Sequence, residues 1–198
     1  MIGTLTKTKV RSRILFVPRA LTELDEQNRI CGSLDSPLSE AGIEQVKEWM
    51  KSLEGVAFDS ILAAAGEADK QTAELILGKR RAKIRVESSW QNLDHGLWQG
   101  KCIESLKETC NKYYRQWQEN PDTVAPPNGE TTTDVLVRVK SAFAKHLKKR
   151  AGEVLVIVAP QPLLGVLRQL AEEAGAVAVT DDVTSASMPF ECHGKAGL

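Results

Sequence analysis

A chain of 198 residues is long enough to bury a substantial core, and 42% hydrophobic with 26% charged residues is the balance of a globular protein. Lysine plus arginine equal aspartate plus glutamate at 26 each, so no basic excess argues for nucleic acid or an anionic membrane surface as partner. Four cysteines (Cys31, Cys102, Cys110, Cys192) and three histidines (His95, His146, His193) show no metal-ligand spacing. The expectation is therefore no metal, no cofactor and free thiols of a reducing cytoplasm. The polar start "MIGTLTKTKVRSR" lacks the apolar stretch of a signal peptide, and no apolar run approaches the length of a membrane span.

In chain order, "RILFVP" (residues 13–18) is an unbroken apolar, β-branched run, the pattern of a central strand covered on both faces. "SPLSEAGIEQVKEWMKSL" then sets Ile43, Val46, Trp49, Met50 and Leu53 at helical spacing behind Ser39, a plausible N-cap, with Glu40 in the first turn. "FDSILAA" (58–64) predicts a second strand, and "EADKQTAELILG" a helix closed by a glycine. "KIRVES" (83–88) is a further strand candidate. The proline-rich "PDTVAPPNG" (121–129) marks a surface loop rather than a domain linker. "TTTDVLVRVKSAFAKHLKKR" places Val135, Val139, Phe143 and Leu147 four residues apart and gathers its cations at the C-terminal end, where they favour the helix dipole. "EVLVIVAP" (153–160) is a second buried strand, "PLLGVLRQLAEEAG" its helix, and "AVAVT" (176–180) a last strand. Strand and helix alternating in this way predict a three-layer α/β/α sandwich with a mostly parallel sheet.

Ligands of such sheets bind beyond the carboxyl ends of the strands. Those ends read "VPRALT", "AAAGEADKQTA" and "VAPQPLL". Most of these residues can neither move a proton nor attack a substrate; the polar exceptions are Arg19, Thr22, Glu67, Asp69, Lys70 and Gln161. No spacing among them forms an acid–base or nucleophile–base pair. Glu67 and Asp69 read as carboxylates of a helix N-terminus.

Five segments in order resemble the histidine phosphatase, or phosphoglycerate mutase-like, superfamily. They are "NRICGSLDSPLSEAGIEQ", "FDSILAAAGEADKQTAELI" with its Gln-Thr-Ala, "NLDHGLWQGK" with Gly96, Trp98 and Gly100, "PPNGETTTDVLVRV", and "VLVIVAPQPLLGVLRQL". The resemblance implies a phosphoglycerate mutase-like fold as one domain over residues 1–198, with an insertion or lid at about 100–130. It also implies a phosphoryl-transfer site built from five groups: the arginine and the nucleophilic histidine of Arg-His-Gly, a second arginine, an acid, and a second histidine after the last strand. The charge spread over a phosphoryl group in flight is what those cations and donors meet.

Carried over residue by residue, the Arg-His-Gly triplet falls on Pro18, Arg19 and Ala20, the second arginine on Ala68, the acid on Asn92 and the second histidine on Pro160. No histidine lies between Met1 and His95 or between His146 and His193. Residues that serve as frame remain, among them Gly32, Asp35, Gly42, Gln71, Thr72, Gly129, Glu130 and Arg138. The expectation is accordingly a degenerate member without catalytic residues and without enzymatic activity, a pseudophosphatase acting through a protein partner or a small anionic ligand. Alternatives on the same fold are a phosphate- or carboxylate-binding protein, a structural homodimer and, ranked last, a residual phosphatase or mutase. Candidate ligand contacts are Arg19, Thr22, Arg29, Lys70 and Asn92, against the alternative that Arg19 fills the vacated site by pairing with Glu67 or Asp69. Trp90, Tyr113, Tyr114 and Trp117 are expected in an aromatic patch or in a lid packed on the core.

Overall fold

The computed structural model describes residues 12–178. The run with the strongest apolar character, Arg13–Pro18, is β1, and the second such run, Val154–Ala159, is β4. They pair in parallel from Arg13 with Val154 to Pro18 with Ala159. β2 (Ser60–Ala63) lies on the other side of β4, β3 (Lys83–Val86) pairs with β2, and β5 (Val177–Ala178) with β1. The order β3-β2-β4-β1-β5 makes one parallel five-stranded sheet. Within the strand expected over residues 176–180, positions 179 and 180 lie outside the described residues, as do Cys192 and His193.

Because side chains alternate across a strand, each central strand feeds two cores. Ile14, Phe16, Leu155 and Ile157 pack on one face against α6 (Thr132–Lys149) and α7 (Gln161–Glu173). Leu15, Val17, Val156 and Val158 pack on the other against α2 (Glu40–Ser52) and α3 (Glu67–Leu77). This is the expected α/β sandwich. Each fully buried aliphatic side chain is worth about 1.5–3 kcal/mol of transfer free energy, and that double burial is why β1 and β4 carry no polar alternation.

The local signals hold where they were read. Ser39 caps α2 by accepting from the Gly42 amide at 3.1 Å. Thr131 and Asp134 form a reciprocal capping box at the start of α6, and His146, Lys148 and Lys149 occupy its last turn. One element departs from the expected loop: Glu23–Glu26 forms a single helical turn, α1, because Thr22 and Asp25 satisfy each other's backbone amides. The segment between β3 and α6 contributes α4 (Ile103–Thr109) and α5 (Asn111–Glu119). Ile30, Trp98, Ile103, Leu106, Tyr114 and Trp117 close a third, aromatic-rich cluster there. Tyr114 and Trp117 are thus buried rather than presented as a patch, and Trp90 belongs to the main core. Tyr113 is exposed and donates its hydroxyl to the Ala125 carbonyl at 2.7 Å. Among the described residues no helix is long and apolar enough to cross a membrane.

Candidate active site

The parallel register delivers the ends of β1, β2 and β4 to one level, with Pro18 beside Ala159 and Ala63 beside Val158. A crevice of about 310 Å³ opens there. Arg19, Thr22, Cys31, Asp69, Asn92 and Pro160 are among the residues that line it, with the 31–36 segment as one wall and the start of α3 as another.

The frame residues of the sequence hold this crevice together. Thr72 accepts the Ala20 amide at 3.1 Å and donates to the Ala68 carbonyl at 2.7 Å, tying the end of β1 to α3. Gln71 accepts the Leu38 amide at 2.8 Å. A Cβ on Gly42 would stand 2.1 Å from the Leu21 carbonyl oxygen, so only glycine lets α2 approach the β1 loop. Arg138 spans Glu130 and the carbonyls of Ser89, Gln91 and Asn92, which fixes the strand of chain that carries Asn92. Asn92 in turn donates to the Gly32 carbonyl at 2.8 Å.

Arg19 sits at the floor, where the resemblance places the nucleophile. Its backbone amide continues the β1–β4 ladder to Ala159, and its guanidinium grips Asp25 with two bonds of 2.6 and 3.2 Å. The partner is therefore neither Glu67 nor Asp69. Asp25 is preset for this role, because it also accepts the Thr22 amide at 2.8 Å and the Thr22 hydroxyl at 2.7 Å. Burial opposes both charges, but the mutual hydrogen bonds and attraction outweigh it: Arg19 is held protonated above its ordinary value, and Asp25 is held below the usual carboxylate range.

Asp69 behaves in the opposite way. It is 2% exposed, it lines the crevice with Arg19 without pairing with it, and its Oδ1 has no hydrogen-bond partner. The Gly66 amide and its own amide donate to the carboxylate, as expected near a helix N-terminus. Burial outweighs them and the pull of Arg19, and pushes the group up to about 7, with Asp35 adding to the rise. Burial likewise raises the Cys31 thiol.

Of the five candidate contacts, the crevice brings together Arg19, Thr22 and Asn92. Arg29 and Lys70 do not line it. Arg29 is exposed and donates to the Gly100 carbonyl at 2.6 Å, and Lys70 pairs with Glu67 one turn earlier at 3.2 Å. Asp25 and the burial of Asp69 escaped the sequence reading. The Thr-x-x-Asp spacing from Thr22 to Asp25 was the available signal for the first; nothing local announces the second. His95 lies away from the crevice lining, stacked edge-on to Trp117 with ring centroids 5.4 Å apart, and burial lowers it to about 4. Among the described residues no group of three or more His, Cys, Asp or Glu side chains is placed to hold a metal ion.

Residues 14–180 match the sequence profile of the histidine phosphatase superfamily (branch 1). The chain is 30% identical over 146 residues to phosphoserine phosphatase 1 of Hydrogenobacter thermophilus, covering 74% of this chain and 69% of that protein. It is 24% identical over 155 residues to the adenosylcobalamin/alpha-ribazole phosphatase of Escherichia coli K12, covering 78% and 76%. Its fold matches the crystal structure of a phosphoglycerate mutase from Bacillus anthracis with a TM-score of 0.69 at 19% identity, over 85% of this chain and 83% of that one.

This kinship overturns the expectation of a chain without enzymatic activity. The relatives whose names state an activity are phosphatases and mutases, which points to an enzyme rather than a pseudoenzyme. There is a physical reason why the residue-by-residue reading went astray. It counted the crevice as chemically poor, whereas burial pushes Asp69 up to about 7 and the bonds to Asp25 hold the Arg19 guanidinium charged in the same crevice.

Proposed function

The chain belongs to the histidine phosphatase superfamily, and on that premise we propose that it binds a phosphate monoester in this crevice and hydrolyses it by a route without a phosphohistidine. The single observation that carries the reading is the Arg19 guanidinium at the end of β1, oriented by Asp25 and lining the crevice with Thr22 and Asn92. A guanidinium remains protonated and cannot attack phosphorus, but it is suited to phosphate oxygens and to the charge they gain in the transition state. The acceptor in this route is water. Its oxygen bonds to phosphorus as the ester P–O bond breaks; one of its protons stays on the phosphate and the other ends on the leaving oxygen. The names of the relatives support a phosphate ester as substrate: one is a phosphoserine phosphatase and another an adenosylcobalamin/alpha-ribazole phosphatase.

The test is hydrolysis of a panel of small phosphomonoesters, phosphoserine included, by the wild type, Arg19→Ala and Arg19→Lys, with melting curves to verify folding. Turnover should fall about 100-fold or more in Arg19→Ala, the size of effect seen when a positioned oxyanion donor is removed, and should be partly retained in Arg19→Lys. Wild-type rates no faster than buffer across the panel, or an unchanged rate in Arg19→Ala, would falsify the proposal.

A further inference from the structure

The floor of the crevice poses a charge problem for any anion. Arg19 supplies one positive charge, and Asp25 already neutralises it through two hydrogen bonds. Asp69 lines the same crevice, nine-tenths buried and more, with Oδ1 unpartnered. Asp35 and Glu67 line the mouth: Asp35 accepts the Glu67 amide at 2.6 Å, and Glu67 is engaged by Lys70 and Gln71. Cys31, the remaining titratable group of the lining, keeps its proton because burial raises the thiol. An ionised Asp69 would therefore leave the floor with a net negative charge. A protonated Asp69 leaves it neutral.

We propose that Asp69 makes this crevice a proton-linked anion site: a tetrahedral dianion enters only together with a proton on Asp69, which removes the negative charge it would otherwise meet there. The inference rests on the reading of the crevice as a phosphate site and adds its regulation by pH. The residues of this chain require it. Asp69 is fixed in place by the helix start, with the Gly66 amide on its carboxylate, and a Cβ at Gly66 would stand 2.5 Å from its Oδ2. Only glycine at position 66 leaves room for that carboxylate. Because Asp69 takes up its proton close to neutrality, the linkage operates in the physiological range.

Sulfate is the suitable probe, since it has the shape and charge of a phosphate dianion and does not titrate near neutrality. Calorimetric titration of the full chain with sulfate, in buffers of different ionisation enthalpy, reads both affinity and proton uptake. The expected result is uptake of up to one proton per sulfate above pH 7, with Kd rising up to about tenfold per pH unit there, the limit for a single linked proton. Asp69→Asn, whose amide stands in for the protonated acid, should bind sulfate with a pH-independent Kd and no uptake. Asp69→Ser provides the same flat profile should the asparagine variant fail to fold. Proton uptake persisting in either variant, or pH-independent binding in the wild type, overturns the linkage and leaves the phosphate-site reading standing. Absence of sulfate binding at every pH removes both.

Discussion

Two pockets of similar size on this molecule combine arginine and carboxylate, and they differ in what burial leaves unpaired. The crevice at the carboxyl ends of the strands is about 310 Å³ and the second pocket, between β3 and the end of α6, about 390 Å³. In the second, Arg150 donates to His146 Nδ1 at 2.9 Å, which leaves the histidine proton on Nε2, 2.8 Å from Glu87. Glu87 also accepts from Ser89, and these bonds outweigh desolvation to hold it below the ordinary glutamate range. Each of these polar groups has a partner. In the crevice only the Arg19–Asp25 half is closed, and Asp69 remains a buried carboxyl with an idle oxygen. A satisfied network holds segments together; an unsatisfied one has chemistry left to do.

The largest effect is expected from breaking the closed half of the crevice. Asp25→Ala strips a mostly buried guanidinium of its partner and removes the carboxylate half of the α1 capping box, so stability should fall by about 3–5 kcal/mol. Denaturant unfolding at pH 7 checks this, and a loss below about 1 kcal/mol would mean that water already compensates Arg19.

Relieving Asp69 should act in the other direction. Its native-state value of about 7 lies above its unfolded value, so the native state keeps a proton that the unfolded chain releases between roughly pH 4 and 7. Wild-type stability should therefore carry a component that declines as pH rises through that interval and stays low above it. Asp69→Asn should remove this component and gain on the order of 2–4 kcal/mol relative to wild type at pH 8, with little gain at pH 4. Melting curves of both proteins across that range decide it, and parallel curves would show that Asp69 is not buried as charge.

The smallest effect belongs to the second pocket. Glu87→Gln keeps its shape and loses only charge, at a cost of about 1 kcal/mol or less for a partly exposed pair. Its phosphomonoesterase rate should match the wild type. A rate that falls as far as that of Arg19→Ala would erase the distinction between the two pockets.

The fold was legible because its signals are local. The unbroken apolar runs of β1 and β4, the Ser39 cap and the cations at the end of α6 each lie within a few residues and follow from backbone and hydrophobic rules. The position of the crevice followed too, since parallel strands bring their ends to one level. What the crevice contains was only half legible. Arg19, Thr22 and Asn92 were recognised from their places in the family's segments, while Arg29 and Lys70 turned outward to a carbonyl and to a neighbouring glutamate.

Residue types and order alone thus determined the α/β architecture, the kinship and the arginine at the end of β1. Tertiary structure alone decided the partners and proton affinities. Arg19 selects Asp25 because α1 turns that carboxylate back onto the β1 loop. Asp69 reads in the sequence as an ordinary carboxylate of a helix start. It becomes a near-neutral acid because the folded chain buries it and excludes the water that would stabilise its charge.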